Sequence, residues 1–227
     1  MKEEFPTPSV AVDIITFSIK DNSLKVLLIK RGIEPFKSKW AIPGGFVRIE
    51  ENLEEAAKRE LEEETGVKEV YLEQLYTFGD VHRDPRGRVI TVSYFALINA
   101  EKPEQELKAT TDASEAKWFS VKELPELAFD HDKILKYAMK RLRWKFEYTT
   151  LAFSLLPKKF TLTQLQKLYE IVFDKKFDKR NFRKKIRSLD LITPTKEIQK
   201  DVSNRPPKLY SFKKRIGEIV EILPPNK

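Results

Sequence analysis

The sequence contains no cysteine, only two histidines and only seven glycines among its 227 residues. The lack of cysteine excludes disulfides, thiolate metal sites and cysteine nucleophiles. No apolar run approaches the roughly 20 residues that a membrane-spanning helix requires. The N-terminus has no basic stretch followed by an apolar core, so we expect no signal peptide and no membrane partner. A cytoplasmic location is the default expectation.

The two halves of the chain differ in charge. Residues 1–130 hold 18 Lys+Arg and 25 Asp+Glu, a net charge of −7, whereas residues 131–227 hold 25 and 10, a net charge of +15. This asymmetry predicts two units with different partners. The basic half suits a polyanion, although charge alone is equally consistent with a solvated, lysine-rich surface.

The first half predicts a mixed sheet with helices packed on it, an α/β sandwich. Alternating and β-branched patterns predict strands at 10–20, 24–30, 40–42, 70–77, 89–98 and 116–119. Asn52 opens a helix that runs to about Thr65 and is closed by Gly66. A further short helix is expected over 121–127. We therefore assign residues 1–130 to a first domain.

The second half predicts a smaller, winged helix-turn-helix domain over residues 131–217, followed by a tail over 218–227. Apolar stripes indicate a linker helix at 131–148 and a short segment at 151–156. Thr161 and Gln164 form a capping box for the next helix, and Asp178 caps a third, very basic one. Extended segments at 191–193 and 208–212 then form a hairpin.

Three carboxylates lie at neighbouring positions on the helix of the first half: Glu60, Glu63 and Glu64. By the apolar pattern they sit where the helix meets the sheet. Like charges this close repel one another unless a cation joins them, and clustered oxygens suit Mg²⁺ or Mn²⁺. The turn at Gly44 brings a backbone carbonyl near as a further ligand. Taken alone, such an acidic helix is more typical of a solvated surface than of a metal site.

The spacing around these carboxylates resembles the Nudix box: Gly, five residues, Glu, seven residues, then Arg-Glu-apolar-any-Glu-Glu-any-Gly-apolar. All nine fixed positions match, which are Gly45, Glu51, Arg59, Glu60, Leu61, Glu63, Glu64, Gly66 and Val67. The resemblance implies a Nudix fold that recognises a nucleoside diphosphate linked to another group.

The Nudix resemblance also implies roles for the box residues. Glu60 and Glu64 are the first candidates for metal ligands, and Glu63 is the next and a catalytic candidate. Arg59 would orient a box glutamate by a salt bridge, and hydrolysis would be an attack of water on phosphorus. Nudix enzymes often take their general base from outside the box, so Asp112 and Glu115 are candidates for it.

Arginines cluster around the turn of residues 84–87, where they could grip phosphate or stack on a base. The alternative is an ordinary exposed turn. The surrounding sequence resembles the ADP-ribose-specific branch of the Nudix family. That resemblance makes Arg83, ranked first, and Arg86 candidate substrate contacts, together with Gly45 of the box.

The very basic helix predicted after Asp178 is a candidate for DNA recognition. Its Phe182 and Ile186 can be buried together, which leaves the polar and basic side chains on the outer faces. A major groove accepts such a helix, and a wing would contact the backbone or the minor groove. The candidates on the helix and on the wing are Lys179, Arg180, Asn181, Arg183, Lys184, Arg187, Arg205 and Lys208.

Nearly the whole chain resembles the Nudix-related transcriptional regulators of NAD metabolism, through the stretches 155–157, 160–162, 165–170, 178–183 and 204–210. The resemblance implies a Nudix domain that senses ADP-ribose or a related nucleotide and a winged domain that binds an operator as a homodimer. Many such regulators have a degraded box, whereas this box is complete. The alternatives are a Mg²⁺-dependent ADP-ribose pyrophosphatase with an accessory basic domain, and a structural or assembly role for that domain.

Overall fold

The structure is a computed structural model that describes residues 7–68, 70–98, 107, 113–199, 206–213, 218–220 and 222–223. The chain divides into two compact units. The first contains the described residues of Met1–Phe17, Lys25–Leu97 and Glu104–Ala138, and the second those of Ser18–Leu24, Ile98–Pro103 and Met139–Lys227. None of the helices in the described ranges is both long and apolar enough to cross a membrane.

The first half folds as the predicted α/β sandwich. Its strands are β1 Ser9–Lys20, β2 Ser23–Arg31, β3 Trp40–Ala41, β4 Gly44–Phe46, β5 Tyr71–Phe78, β6 Val89–Ile98 and β7 Ala113–Ser120. Within the described residues they form one seven-stranded sheet with the order β3-β2-β1-β6-β5, in which β4 also pairs with β1 and β7 with β2. Asp21 and Asn22 both have positive φ, as a tight turn between β1 and β2 requires.

Helix α1, Leu53–Thr65, begins and ends where local signals predict. Asn52 and Glu55 form a reciprocal capping box at its start. Gly66 ends it in the left-handed conformation, with φ of 76°. The helix contacts β4 and β7, and its buried Ala57 and Leu61 form part of the core. These signals set the two ends of α1 and, with its buried face, the side of the helix on which its carboxylates lie.

The short helix expected over 121–127 is wrong. This segment is a turn and irregular chain that ends in a bridge between Leu127 and Trp40. Pro125 explains the error, because it has no N–H to donate and disfavours the helical conformation at the preceding residue. The segment leads directly to residues 128–131, where the chain returns to the sheet.

The second half has the predicted order of helices followed by a hairpin. Helix α2, His131–Tyr148, begins in the first unit and ends in the second, since the units divide between Ala138 and Met139. The other elements are a 3-10 helix at Thr150–Leu155, α3 Leu162–Phe173, α4 Lys179–Ser188, β8 Ile192–Ile198 and β9 Lys208–Phe212. Strands β8 and β9 pair antiparallel.

Aromatic side chains form the core beneath α4. Phe182 is 5% exposed, and its ring contacts the rings of Tyr169 and Phe177 at centroid distances of 5.4 and 5.8 Å. Ile186, one turn further along α4, is also buried. Burying a side chain of this size stabilises the fold by about 1.5–3 kcal/mol. The apolar edge of α4 therefore faces the domain core and leaves its basic residues outward.

We expect Phe182→Ala to lower the free energy of unfolding of the second unit by about 3–5 kcal/mol, because it leaves a cavity among packed rings. The matched control is Trp144→Ala, which removes an aromatic ring that is 39% exposed on α2 and should cost about 1 kcal/mol or less. Urea unfolding followed by far-UV circular dichroism measures both. Equal losses would contradict this account of the core.

Candidate functional site

A cavity of about 460 Å³ lies within the first unit. It opens between the C-terminal half of α1, the turn into β4 and the chain just before α2. One wall of it is formed by Gly44 and by five residues of the box, which are Gly45, Arg59, Glu60, Glu63 and Glu64. The structure thus brings together the side chains that the sequence singled out on α1.

Arg59 is the centre of the ion pairs on this wall. Its guanidinium donates to Glu51 at 2.5 and 2.8 Å, to Glu60 at 2.7 Å and to Glu63 at 3.1 Å. A fifth bond runs to the backbone oxygen of Phe46 at 3.2 Å. The hydrogen bonds from Arg59 hold the pKa of Glu51 at about 2, and Glu51 in turn raises the pKa of Arg59. All three carboxylates are oriented by one cation.

Glu60 and Glu64 lie deepest in this wall. The side chain of Glu60 is 13% exposed, and burial raises its pKa against the opposing effect of Arg59. One carboxylate oxygen of Glu64 accepts the backbone N–H of Gly44 at 2.8 Å. A Cβ on Gly44 would stand 2.1 Å from the backbone oxygen of Val12, so only glycine fits at that position. A Cβ on Gly45 would stand 2.4 Å from a Glu60 oxygen and would displace that carboxylate.

The donor set suits a hard divalent cation, because it consists of carboxylate oxygens around a half-buried, electron-rich wall. Burial of Glu60 beside Glu63 and Glu51 is unfavourable for three negative charges, and added positive charge would relieve it. With Arg59 engaging Glu60 and Glu63, no three acidic or histidine side chains within the described ranges converge on one point. A cation at this wall would therefore compete with Arg59 for the oxygens of Glu60 and Glu63.

Arg86 also lines the cavity, and its planar guanidinium can stack on an aromatic ring. Its guanidinium pairs with Asp84 through two nitrogens, at 2.7 and 3.0 Å. It also lies over the rings of Phe46, at 4.8 Å, and Phe129, at 5.4 Å. Phe46 is 41% exposed. An aromatic base and a phosphate could both be bound by this combination of rings and guanidinium.

Arg83 also reaches the cavity but is held differently from Arg86. It is 8% exposed, and its guanidinium donates to Asp130 at 2.7 and 3.1 Å and to Asp13 at 3.4 Å. His131 completes the group, with Nε2 3.5 Å from Asp13. Nδ1 of His131 accepts the backbone N–H of Ile42 at 2.9 Å. Burial lowers the pKa of His131 and so favours the neutral imidazole, whose Nδ1 can accept that N–H.

One of the two candidates for an external general base, Glu115, is not part of this wall. Glu115 is exposed on β7, opposite Lys30 of β2, and it does not line the cavity. Asp112 lies outside the described residues. Of the carboxylates proposed for catalysis, Glu63 is the one that is both half-exposed and on the cavity wall.

Sequence reasoning missed Asp13, Asp130 and His131. One signal was available, since Asp13 is the only charged residue in the buried run of β1, between Val12 and Ile14. A charge in such a run needs a buried partner. The partner is Arg83, 70 residues away, and that pairing depends on the fold and not on local pattern.

The second unit presents its basic residues on the outer faces of α4. Lys179, Arg180, Asn181, Lys184 and Arg187 are all exposed. Arg183 is half-exposed and donates to the Thr163 hydroxyl of α3 at 3.0 Å, which fixes its orientation. Lys208, at the start of β9, is exposed, whereas Arg205 lies outside the described residues.

Two protein families match the chain. The NUDIX domain matches residues 7–140, and the NrtR DNA-binding winged helix domain matches residues 152–212. The chain is 40% identical over 215 residues to the ADPR responsive transcriptional repressor NtrR of Acinetobacter baylyi, which covers 93% of this chain and 84% of that protein. It is 47% identical over 138 residues to the ADP-ribose pyrophosphatase of Methanocaldococcus jannaschii, over 61% of this chain and 75% of that protein.

Solved structures are similar in the same way. Shewanella oneidensis NrtR complexed with a 27mer DNA superposes with a TM-score of 0.78 at 34% identity, over 90% of this chain and 93% of that one. The NUDIX domain of the same protein complexed with ADP ribose gives a TM-score of 0.54 at 38% identity, over 61% and 90%. The likeness thus covers the cavity and α4 alike. The chain belongs to the Nudix family and joins its Nudix domain to a winged helix domain of the NrtR type.

Proposed function

We propose that the protein is a transcriptional regulator whose Nudix domain binds ADP-ribose, or a closely related nucleotide, and whose winged helix domain binds operator DNA. The observation that carries the proposal is the extent of the likeness to the A. baylyi repressor, which spans both units. Such a regulator would act on genes of NAD metabolism and work in the cytoplasm beside the DNA.

The lining of the cavity supports a nucleotide as the ligand. Arg86 with Phe46 and Phe129 offers rings and a guanidinium for a base or a phosphate. Arg48 and Arg59 also line the cavity and supply positive charge near the box carboxylates. A pyrophosphate bound there would lie near Glu60 and Glu64, and a divalent cation would offset the repulsion between these negative charges. We propose Mg²⁺ or Mn²⁺, held by Glu60 and Glu64 with Glu63 as a further ligand.

A second function, hydrolysis of ADP-ribose, is supported by the complete box and by the likeness of the first unit to the M. jannaschii pyrophosphatase. Water would attack one phosphorus of the pyrophosphate, and AMP and ribose 5-phosphate would leave. The bound cation would neutralise charge on the phosphate oxygens. Arg59 would orient Glu60 and Glu63, and Glu63 is the cavity carboxylate best exposed to take a proton from water.

We expect wild-type protein with Mg²⁺ or Mn²⁺ to convert ADP-ribose into AMP and ribose 5-phosphate, as measured by chromatography of the nucleotides. Glu64→Gln keeps the shape of the side chain but removes one charge of the cation site. It should lower turnover by about 100-fold or more.

The matched control for that variant is Glu62→Gln on the outer side of α1, where Glu62 pairs with Lys68 and is about half exposed. It should leave turnover unchanged. Wild-type protein that binds ADP-ribose but releases no AMP under any divalent cation would refute the enzyme function and leave the sensor function standing.

The exposed faces of α4 support the DNA function. A helix with basic side chains outward can lie in the major groove, where Arg binds guanine and Asn binds adenine. Neutralising phosphates releases counterions, so affinity should fall steeply with salt. If the protein binds as a homodimer, as we propose, its operator is a palindrome with half-sites about one or two helical turns apart.

We expect Arg180→Ala and Arg183→Ala each to weaken specific binding by about 1–3 kcal/mol, because each removes a base or phosphate contact. Lys213→Ala removes the same charge beyond β9, where Lys213 pairs with Asp190, and should cost about threefold or less. Fluorescence anisotropy with a duplex selected from a random pool by the full-length protein measures all three. Equal losses would indicate a diffuse charged surface and not a recognition helix.

A further inference from the structure

Helix α2 starts at the wall of the cavity. Its first residue, His131, is 4% exposed and lines the cavity, and Asp130 immediately precedes it. The first turn of a helix usually lies at the surface with polar residues in water, as Asp132 does here. Two consecutive ionisable residues directed into the protein at a helix start therefore need an explanation.

His131 connects the start of α2 to the Nudix box. Its Nδ1 accepts the N–H of Ile42 at 2.9 Å, while two residues further on the N–H of Gly44 donates to Glu64 at 2.8 Å. Between them, the oxygen of Pro43 accepts the N–H of Ile14 of β1. The segment 42–44 is thus fixed at one end by α2 and at the other by a carboxylate that we propose to bind the cation.

Asp130 makes a second connection, through Arg83. The guanidinium lines the cavity and is almost fully buried, and both oxygens of Asp130 accept from it. Asp13, its other partner, lies opposite Gly44 in the pairing of β1 with β4. A shift of Arg83 or of Gly44 is therefore transmitted to the residues that start α2, because buried ion pairs have few alternative partners.

The cost of this arrangement argues against a role in stability alone. Desolvation of buried charges offsets much of their mutual attraction, so apolar side chains could fill the same space with equal stability. What the charged cluster provides, and an apolar one does not, is a fixed geometry between the cavity wall and α2. α2 then continues into the second unit.

We propose that Asp130 and His131 are positioning residues that couple occupancy of the cavity to the position of α2, and so to DNA binding. The inference rests on the proposed function and names the residues through which it works. A nucleotide that contacts Arg83, or a cation that draws Glu64 from Gly44, changes the contacts of Asp130 or His131. The helix start then adopts a second arrangement, which differs in its affinity for DNA.

The test measures a coupling factor, which is the ratio of DNA dissociation constants at saturating and at zero ADP-ribose. For wild-type protein we expect a factor of about 5–150. Asp130→Asn removes the charge that holds Arg83, and His131→Leu removes the acceptor for Ile42. Each should reduce the factor to about 2 or less. Because the nucleotide is saturating, weaker nucleotide binding alone cannot lower it.

Two further variants serve as controls. His131→Asn keeps an acceptor close to the position of Nδ1 and should restore most of the coupling. Asp132→Asn alters the same helix turn at an exposed residue that pairs with Lys136, and should keep the wild-type factor. Titration calorimetry gives the nucleotide affinity of each variant, and thermal unfolding shows that each is folded.

The outcomes are distinct. A wild-type factor of 1 despite nucleotide and DNA binding would remove the regulatory function, and the inference with it. A wild-type factor above 5 that persists in Asp130→Asn and in His131→Leu would overturn the inference and leave the regulator standing. If His131→Leu does not fold, the comparison of Asp130→Asn with Asp132→Asn decides the question.

Discussion

The acidic wall of the cavity depends on the guanidinium of Arg59, which holds together three carboxylates that would otherwise repel one another. Glu51, Glu60 and Glu63 all accept hydrogen bonds from it. Without that cation, half-buried carboxylates this close would favour protonation or a different fold of the turn. The arrangement keeps the acidic wall assembled when no divalent cation is present. A cation that binds there must compete with Arg59 for the carboxylate oxygens.

A second charged group extends this constraint away from the box. Glu64 does not contact Arg59 through any of the hydrogen bonds described above, and instead accepts the amide of Gly44. Gly44 lies beside Asp13, which pairs with Arg83, which pairs with Asp130. The acidic wall and the start of α2 are thus joined by polar contacts and by the pairing of β1 with β4. These contacts are buried or partly buried, so breaking one of them singly is costly.

The elements that local signals specify were predictable from the sequence. Asn52 and Gly66 delimit α1 as expected, and Thr161 and Gln164 cap α3. The apolar spacing of Phe182 and Ile186 correctly assigned the buried face of α4. The helix expected at 121–127 does not form, because Pro125 has no N–H to donate and disfavours the helical conformation at the preceding residue.

Long-range pairings in the candidate site were not predictable. Arg83 and Arg86 flank the same turn, yet one is buried between Asp13 and Asp130 while the other lies over Phe46. Arg86 has a local partner in Asp84, but the side chains that distinguish the two arginines, Asp13, Phe46 and Asp130, lie far along the chain. The same holds for His131, which the sequence marks only as the start of a helix. The fold brings all three residues to the cavity, each with different partners.

The central claim is that nucleotide binding and DNA binding are linked in one chain. Linkage requires operator DNA to change the affinity for ADP-ribose by the same factor by which ADP-ribose changes the affinity for DNA. The most direct measurement titrates ADP-ribose into the full-length protein, alone and saturated with operator, in a calorimeter. We predict that the operator weakens ADP-ribose binding by about 5- to 150-fold. Identical ADP-ribose affinities with and without the operator would contradict the account.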